Sequence, residues 1–138
     1  MEQAYNTEQE TREQSGSDLW IRERTKRITA SRIGGILKMK KTTKRSRKVE
    51  EILYSKFKGN QATLYGTNME DTARQQYVTY QNQKGHVGLV THRVGLVISV
   101  DNPWLASSPD DKVYDPSAAQ SLGVAEYKNP YNARDLTL

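Results

Sequence analysis

The chain has 138 residues, 35% of them hydrophobic, which matches one domain with one modest core and excludes a multidomain assembly. It has no cysteine and only two histidines, His86 and His92. A disulfide framework, thiolate zinc or iron–sulfur sites, a cysteine nucleophile and a histidine-rich metal centre are therefore excluded. Lys and Arg number 21 against 16 Asp and Glu, a net charge of +5 that permits a nucleic-acid partner without demonstrating one.

That average hides an asymmetry. Residues 1–21 carry five acids against Arg12 (net −4), residues 22–48 carry twelve bases against Glu23 (net +11), and residues 49–138 carry eight bases against ten acids (net −2). The densest stretch, Lys38-Met-Lys-Lys-Thr-Thr-Lys-Arg-Ser-Arg-Lys48, holds seven bases and no acid. Such a run attracts phosphates with a salt-dependent affinity, and it is equally the composition of a solvated loop or a nuclear-localisation stretch.

In chain order, residues 1–17 are rich in Glu, Gln, Thr and Ser and read as a poorly ordered polar lead-in, with the domain proper over 18–138. Ile28, Ala30, Ile33, Ile36 and Leu37 recur at helical spacing and predict a helix opening near Thr29 to Ser31. Gly34-Gly35 within it costs helix stability, on the order of 1 kcal/mol per Gly, and suggests close approach of another backbone or a ligand, or else a tolerant surface. Val49, Ile52, Leu53 and Phe57 mark a second helix ended by Gly59-Asn60. A third opens at Gly66–Glu70 with Thr67 or Asn68 as N-cap, carries Met69, Ala73, Tyr77 and Tyr80, and stops before Gly85.

From Val87 the pattern changes to short apolar runs: 87–91, 94–100, 104–107, 112–114 and 123–128. Helices followed by a strand-rich block predict an α+β fold with N-terminal helices packed on a sheet. No apolar run approaches the roughly 18 residues that span a bilayer, and the acidic N-terminus is unlike a signal peptide. The expectation is a soluble intracellular protein with no membrane partner, nuclear in a eukaryote and otherwise cytoplasmic.

Chemistry concentrates late in the chain. Ser107-Ser-Pro-Asp-Asp111 is followed by Glu126-Tyr-Lys128 on a predicted strand. Residues i and i+2 of a strand share a face, so Glu126 and Lys128 stand roughly 6 to 7 Å apart along the backbone. Carboxylates of this kind hold Mg²⁺ or Mn²⁺, hard ions that polarise a phosphodiester and acidify a bound water, while a lysine orients that water and stabilises phosphate charge. Glu/Lys alternation on a solvated strand face is also ordinary, so this spacing alone leaves both readings open. Likewise Glu70 and Arg74 suit a surface i,i+4 salt bridge worth roughly 0.3 to 0.5 kcal/mol. Ser31 and Arg24 suit either an anion site at a helix start or a cap beside a surface charge.

Four blocks then coincide in order: Trp20-x-x-x-Arg24 with Ile28-Thr-Ala-Ser31; Gly66-Thr-Asn-Met-Glu70-Asp-Thr-Ala-Arg74-Gln-Gln-Tyr77; Trp104-Leu-Ala-Ser-Ser-Pro-Asp110; and Glu126-Tyr-Lys128-Asn-Pro-Tyr131. Over roughly residues 20–135 the chain resembles the YqaJ-like viral recombinase family of the PD-(D/E)xK nuclease superfamily, which includes the phage lambda exonuclease. The resemblance implies a restriction-endonuclease-like core with a central mixed β-sheet. It implies Asp110 and Glu126 as metal ligands, Lys128 as the catalytic lysine, and Glu70 as an acid completing the metal site. Arg24 and Ser31, with Thr29 beside them, correspond to residues binding the 5′-phosphate of the resected strand. Tyr77, Trp104 and Tyr131 read as packing groups.

The implied activity is a Mg²⁺- or Mn²⁺-dependent deoxyribonuclease that digests one strand of duplex DNA from its 5′ end in recombination or repair. A ring-shaped trimer and a single-strand annealing partner come with that resemblance. The alternatives are a restriction-like endonuclease on the same core and a noncatalytic nucleic-acid-binding module using the 22–48 segment. Two departures stand out. The family carries Gly where this chain has Asp111, and the helices and strands that follow the Glu-x-Lys strand in the family are absent after Asn132, so the domain reads as truncated at its C-terminus.

Overall fold

A computed structural model describes residues 2–54 and 60–133 of the chain. The helices are α1 (Glu2–Glu10), α2 (Asp18–Thr25), α3 (Ala30–Leu37), α4 (Arg45–Tyr54) and α5 (Gln61–Gln83). The strands are β1 (Ile28–Thr29), β2 (Val90–Arg93), β3 (Val97–Ile98), β4 (Leu105–Ser107), β5 (Asp111–Tyr114) and β6 (Leu122–Ala125), with single 3₁₀ turns at Gln14–Gly16 and Tyr131–Ala133. The chain divides into two compact units, Met1–Lys56 with Val94–Ser108, and Phe57–Arg93 with Pro109–Leu138. The α+β class holds. The strands, however, form two three-stranded sheets, β1-β4-β3 and β2-β5-β6, instead of one central sheet.

In the first unit β1 runs parallel to β4 (Ile28 opposite Leu105) and β3 antiparallel to it (Ile98 opposite Ala106), so this small sheet is the mixed one. Leu96, Ile98 and Ala106 form its buried core, and Ala4 of α1 and Trp20 of α2 pack against them. The expected poorly ordered lead-in is corrected here, because residues 2–10 form a helix and Glu8 and Thr11 are buried. Polar composition hid this, since the burial is satisfied by bonding. Glu8 Oε1 accepts from Gly95 N at 3.2 Å and from Arg12 Nε at 3.1 Å, and Thr11 Oγ1 accepts from Leu96 N at 2.7 Å. Ser17 caps α2 by accepting from Trp20 N at 3.2 Å.

Helix α3 opens after Thr29 as the periodicity predicts. Its Gly34 has nothing within 4 Å of where a Cβ would stand, and Gly35 meets only the Lys48 side chain at 3.5 Å. The tolerant-surface reading of this pair is therefore the one the chain itself supports. Helix α4 contains Val49, Ile52 and Leu53; its predicted end at Gly59 lies outside the described residues.

In the second unit α5 begins at Gln61, five residues before the predicted opening at Gly66. Asn60 is the cap, its Oδ1 accepting from Thr63 N at 2.9 Å, so Gly66, Thr67 and Asn68 are helix interior. The sheet is antiparallel throughout, with Arg93 opposite Asp111 and Asp111 opposite Ala125. Side chains along β5 alternate buried and exposed, so Asp111 and Val113 point inward and Lys112 and Tyr114 outward. Strand β6 ends at Ala125, so Glu126-Tyr-Lys128 extends from the strand rather than lying on it, a correction to the predicted 123–128 run. No described helix is long and apolar enough to cross a membrane.

Candidate functional site

The acidic site belongs to the second unit and is assembled from the middle of α5, the start of β5 and the segment leaving β6. Glu70, half-buried on α5, has its carboxyl pushed above the usual range by burial and then by the Asp110 charge, against the opposing pull of Arg74 and Arg93. Asp110 is also raised, by burial first, with repulsion from Glu126 and Asp111 adding to it. A backbone bond from Tyr127 N to Asp110 Oδ2, 2.5 Å, and the charge of Lys128 oppose that rise. Glu126 and Lys128 pair through Oε1 and Nζ, both well exposed at 54% and 76%. The four residues predicted for this site, Glu70, Asp110, Glu126 and Lys128, are thus drawn together in one unit.

Sequence reasoning did not assign the group beneath them. Asp111 is fully buried; its Oδ2 accepts from Arg74 Nε at 2.6 Å and from Tyr127 OH at 2.8 Å. Arg74 continues to Glu70 Oε1 at 3.3 Å and to Asp71, whose Oδ1 also accepts from Arg93 Nη2 at 2.6 Å. Burial and the Asp111 contact push the Tyr127 phenol above its ordinary value, so it stays a donor. The Asp111 hydrogen bond raises the already high Arg74 pKa further. The Glu70–Arg74 i,i+4 pair is therefore anchored on a buried carboxylate. Asp111 Oδ1 is buried without a hydrogen-bond partner among the described residues. The signal in the sequence was the acid doublet followed by alternation in Asp-Lys-Val-Tyr, which turns one acid inward and leaves Asp110 before the strand.

The first unit carries the second set of predicted residues. Arg24 Nη2 donates to Ser31 Oγ at 2.9 Å, and Ser31 Oγ lies 3.1 Å from Thr29 Oγ1 at the start of α3. Thr29 makes no side-chain cap bond, and it is buried while Ser31 is exposed. The Arg24 guanidinium lies 4.6 Å over the Trp20 ring, and Trp20 Nε1 donates to Ser108 Oγ at 2.8 Å. Burial, then the charge of Arg32, lowers the Arg24 pKa. Arg32, absent from the predicted set, contributes a buried Nη1 with no hydrogen-bond partner among the described residues. Two guanidiniums and two hydroxyls at a helix start form a site that suits an anion.

The family profile of the YqaJ-like viral recombinase domain matches residues 19–136. The chain belongs to that family. Its structure is similar to two crystal structures of LHK-Exo, an alkaline exonuclease from Laribacter hongkongensis. The one in complex with dAMP shares 25% identity at a TM-score of 0.62, over 84% of this chain and 55% of that chain. The other shares 26% at 0.59, over 83% and 54%. This YqaJ-like chain thus spans about 55% of the length of the solved chain it resembles. A comparison with curated proteins finds no match.

Proposed function

We propose that this YqaJ-like domain is a divalent-metal-dependent nuclease that degrades one strand of duplex DNA from a 5′ end in recombination. The observation that carries the reading is the gathering of Glu70, Asp110, Glu126 and Lys128 in one unit, with the carboxyls of Glu70 and Asp110 raised by burial first and by neighbouring carboxylates. The similarity to an alkaline exonuclease supports it.

The residues fit a hard divalent ion in chemistry. The charges of Asp110 and Asp111 act on Glu70, and the buried Asp111 Oδ1 has no hydrogen-bond partner among the described residues, an excess of negative charge that a cation relieves. As the side chains stand, no group of three His, Cys, Asp or Glu among the described residues is arranged to hold a metal, and Glu126 is engaged by Lys128. Loading then requires Glu126 to exchange Lys128 for the ion. Asp110, Glu126 and Glu70 are the proposed ligands of Mg²⁺ or Mn²⁺, which when bound polarises the scissile phosphate and acidifies an attacking water. Lys128, freed from Glu126, places its ammonium beside the charge that develops on the phosphate. Arg24, Ser31 and Thr29 would hold the terminal 5′-phosphate, and the bases of 38–48 would track the duplex backbone.

A linear duplex with labelled 5′-phosphate ends, incubated in Mg²⁺ or EDTA with the native chain or Glu126→Ala, tests the reading. The expected result is metal-dependent release of the label that the variant loses. Nicking of closed circular DNA at an equal rate would assign the endonuclease reading instead. A second reading, a DNA-binding module without catalysis, is favoured by the Lys128–Glu126 pairing, and binding that persists in EDTA with no cleavage in Mg²⁺ would select it. A trimer and a single-strand annealing partner belong to the same proposal; sedimentation of the chain alone and with an annealing protein measures both.

A further inference from the structure

The residue between Glu126 and Lys128 and the acid after Asp110 are joined in a way the nuclease reading does not require. We propose, resting on that reading, that Tyr127 and Asp111 are positioning residues that tie two of the proposed metal ligands, Asp110 and Glu70, into one hydrogen-bonded chain that runs past the third, Glu126. Tyr127 uses both ends. Its backbone N–H holds Asp110 Oδ2 at 2.5 Å, and its hydroxyl holds Asp111 Oδ2 at 2.8 Å. Asp111 in turn holds Arg74 Nε at 2.6 Å, and Arg74 Nη2 reaches Glu70 Oε1 at 3.3 Å. Glu126 is covalently next to Tyr127. The path Asp110–Tyr127–Asp111–Arg74–Glu70 is therefore continuous, with one proposed ligand at each end and the third adjoining Tyr127.

Two physical arguments make this more than packing. A carboxylate with no exposure is costly unless charge-paired, so Asp111 fixes Arg74 in place far more firmly than a surface i,i+4 contact with Glu70 would. The Tyr127 ring is itself held, edge-on to Tyr77 with centroids 6.1 Å apart and 5.9 Å from the Arg74 guanidinium. That leaves the hydroxyl little freedom to find another partner. Outer groups that orient ligands typically change metal affinity or activity by about 10- to 100-fold when removed.

The test is Mn²⁺ binding by calorimetry to the full chain at neutral pH, with thermal unfolding and cleavage in parallel, for the native protein, Tyr127→Phe and Glu126→Ala. Tyr127→Phe keeps the ring contacts and the backbone donor. The expected result is a Kd for Mn²⁺ raised about tenfold, a melting temperature lowered by less than about 5 °C, and cleavage recovered by raising Mn²⁺. A group that only stabilises the fold would lower the melting temperature and leave the Kd unmoved. A Tyr127→Phe Kd within about twofold of native, while Glu126→Ala loses binding, overturns the positioning role and leaves the nuclease reading standing. Absence of Mn²⁺ binding by the native chain overturns both. If Tyr127→Phe fails to fold, Arg74→Lys is read in the same way, since it keeps a charge beside Asp111 but loses the fork that reaches Glu70.

Discussion

Gly95 is where the first unit is least able to accept a side chain, and Gly95→Ala measures how firmly α1 is docked. A Cβ at this position would lie 2.0 Å from the Glu8 carbonyl oxygen, 2.4 Å from Thr11 Oγ1 and 2.9 Å from Thr11 C, two of them backbone atoms. Real Cβ contacts essentially never fall under 3.0 Å, so the end of α1 must retreat by about 1 Å or more. Retreat stretches the Gly95 N to Glu8 Oε1 bond from 3.2 Å and the Leu96 N to Thr11 Oγ1 bond from 2.7 Å, both buried. A bond to a charged acceptor contributes about 1.5 to 3 kcal/mol and a neutral one about 0.5 to 1.5. Overpacking adds about 1 to 3 kcal/mol, giving a destabilisation of roughly 3 to 7.5 kcal/mol. That is a large share of a domain's usual 5 to 15 kcal/mol, and at 138 residues it lowers the melting temperature by at least about 10 °C. Both tryptophans, Trp20 and Trp104, lie in this unit, so tryptophan fluorescence on heating reads it directly. Gly34→Ala, where nothing lies within 4 Å, is the control and should stabilise α3 by about 0.5 to 1 kcal/mol. A Gly95→Ala melt within about 2 °C of native would refute the docking of α1 against β3.

Arg24→Ala should slow attack on 5′-phosphorylated ends by about 10- to 100-fold and on 5′-hydroxyl ends by less than about threefold, because a charge-assisted contact of about 1.5 to 3 kcal/mol is lost only when the phosphate is present. Competition between the two labelled duplexes measures it, and equal losses on both would remove Arg24 from the phosphate site. Asp115, held below the usual carboxylate range by Ser117 first and also by His86, gives a pH-dependent term of known sign. A depressed acid stabilises the folded state above its unfolded pKa of 3.8 and loses that contribution as pH falls through its folded value. Ser117→Ala, which deletes the 2.6 Å bond to Asp115 Oδ1, should therefore melt below native at pH 6, with the gap closing below pH 3.8. A gap that widens with acid would reverse the assignment.

How far the sequence could be read depended on whether a residue's role was local. The opening of α3 at Thr29 and the short strands from Val90 onward follow from periodicity over a few residues, and the structure keeps them with trimmed ends. The start of α5 was misplaced because Gly66-Thr-Asn looks like punctuation. Its cost within a 23-residue helix is only about 1 kcal/mol, which the Asn60 cap and the added turn outweigh. Helix α1 was invisible for a different reason. Glu8 and Thr11 are buried by partners 87 and 85 residues away, Gly95 and Leu96 respectively, and no local pattern encodes a bond of that span.

The site shows the same division at finer scale. Family motifs named Glu70, Asp110, Glu126 and Lys128, residues whose proposed chemistry is carried by their own side chains. Asp111 and Tyr127 act through others, so the motifs gave them no role, and the sequence marked Asp111 only as the second acid of a doublet. The alternation of β5 from Asp111 to Tyr114 decides which acid of the doublet turns inward to Arg74 and which stays at the half-buried rim. A one-residue slip of register along β5 would put Asp110 on the buried face and Asp111 outside it. The register that pairs Asp111 with Arg93 and Ala125 is thus itself part of the site, and it links the position of the proposed ligands to the pairing of β2, β5 and β6.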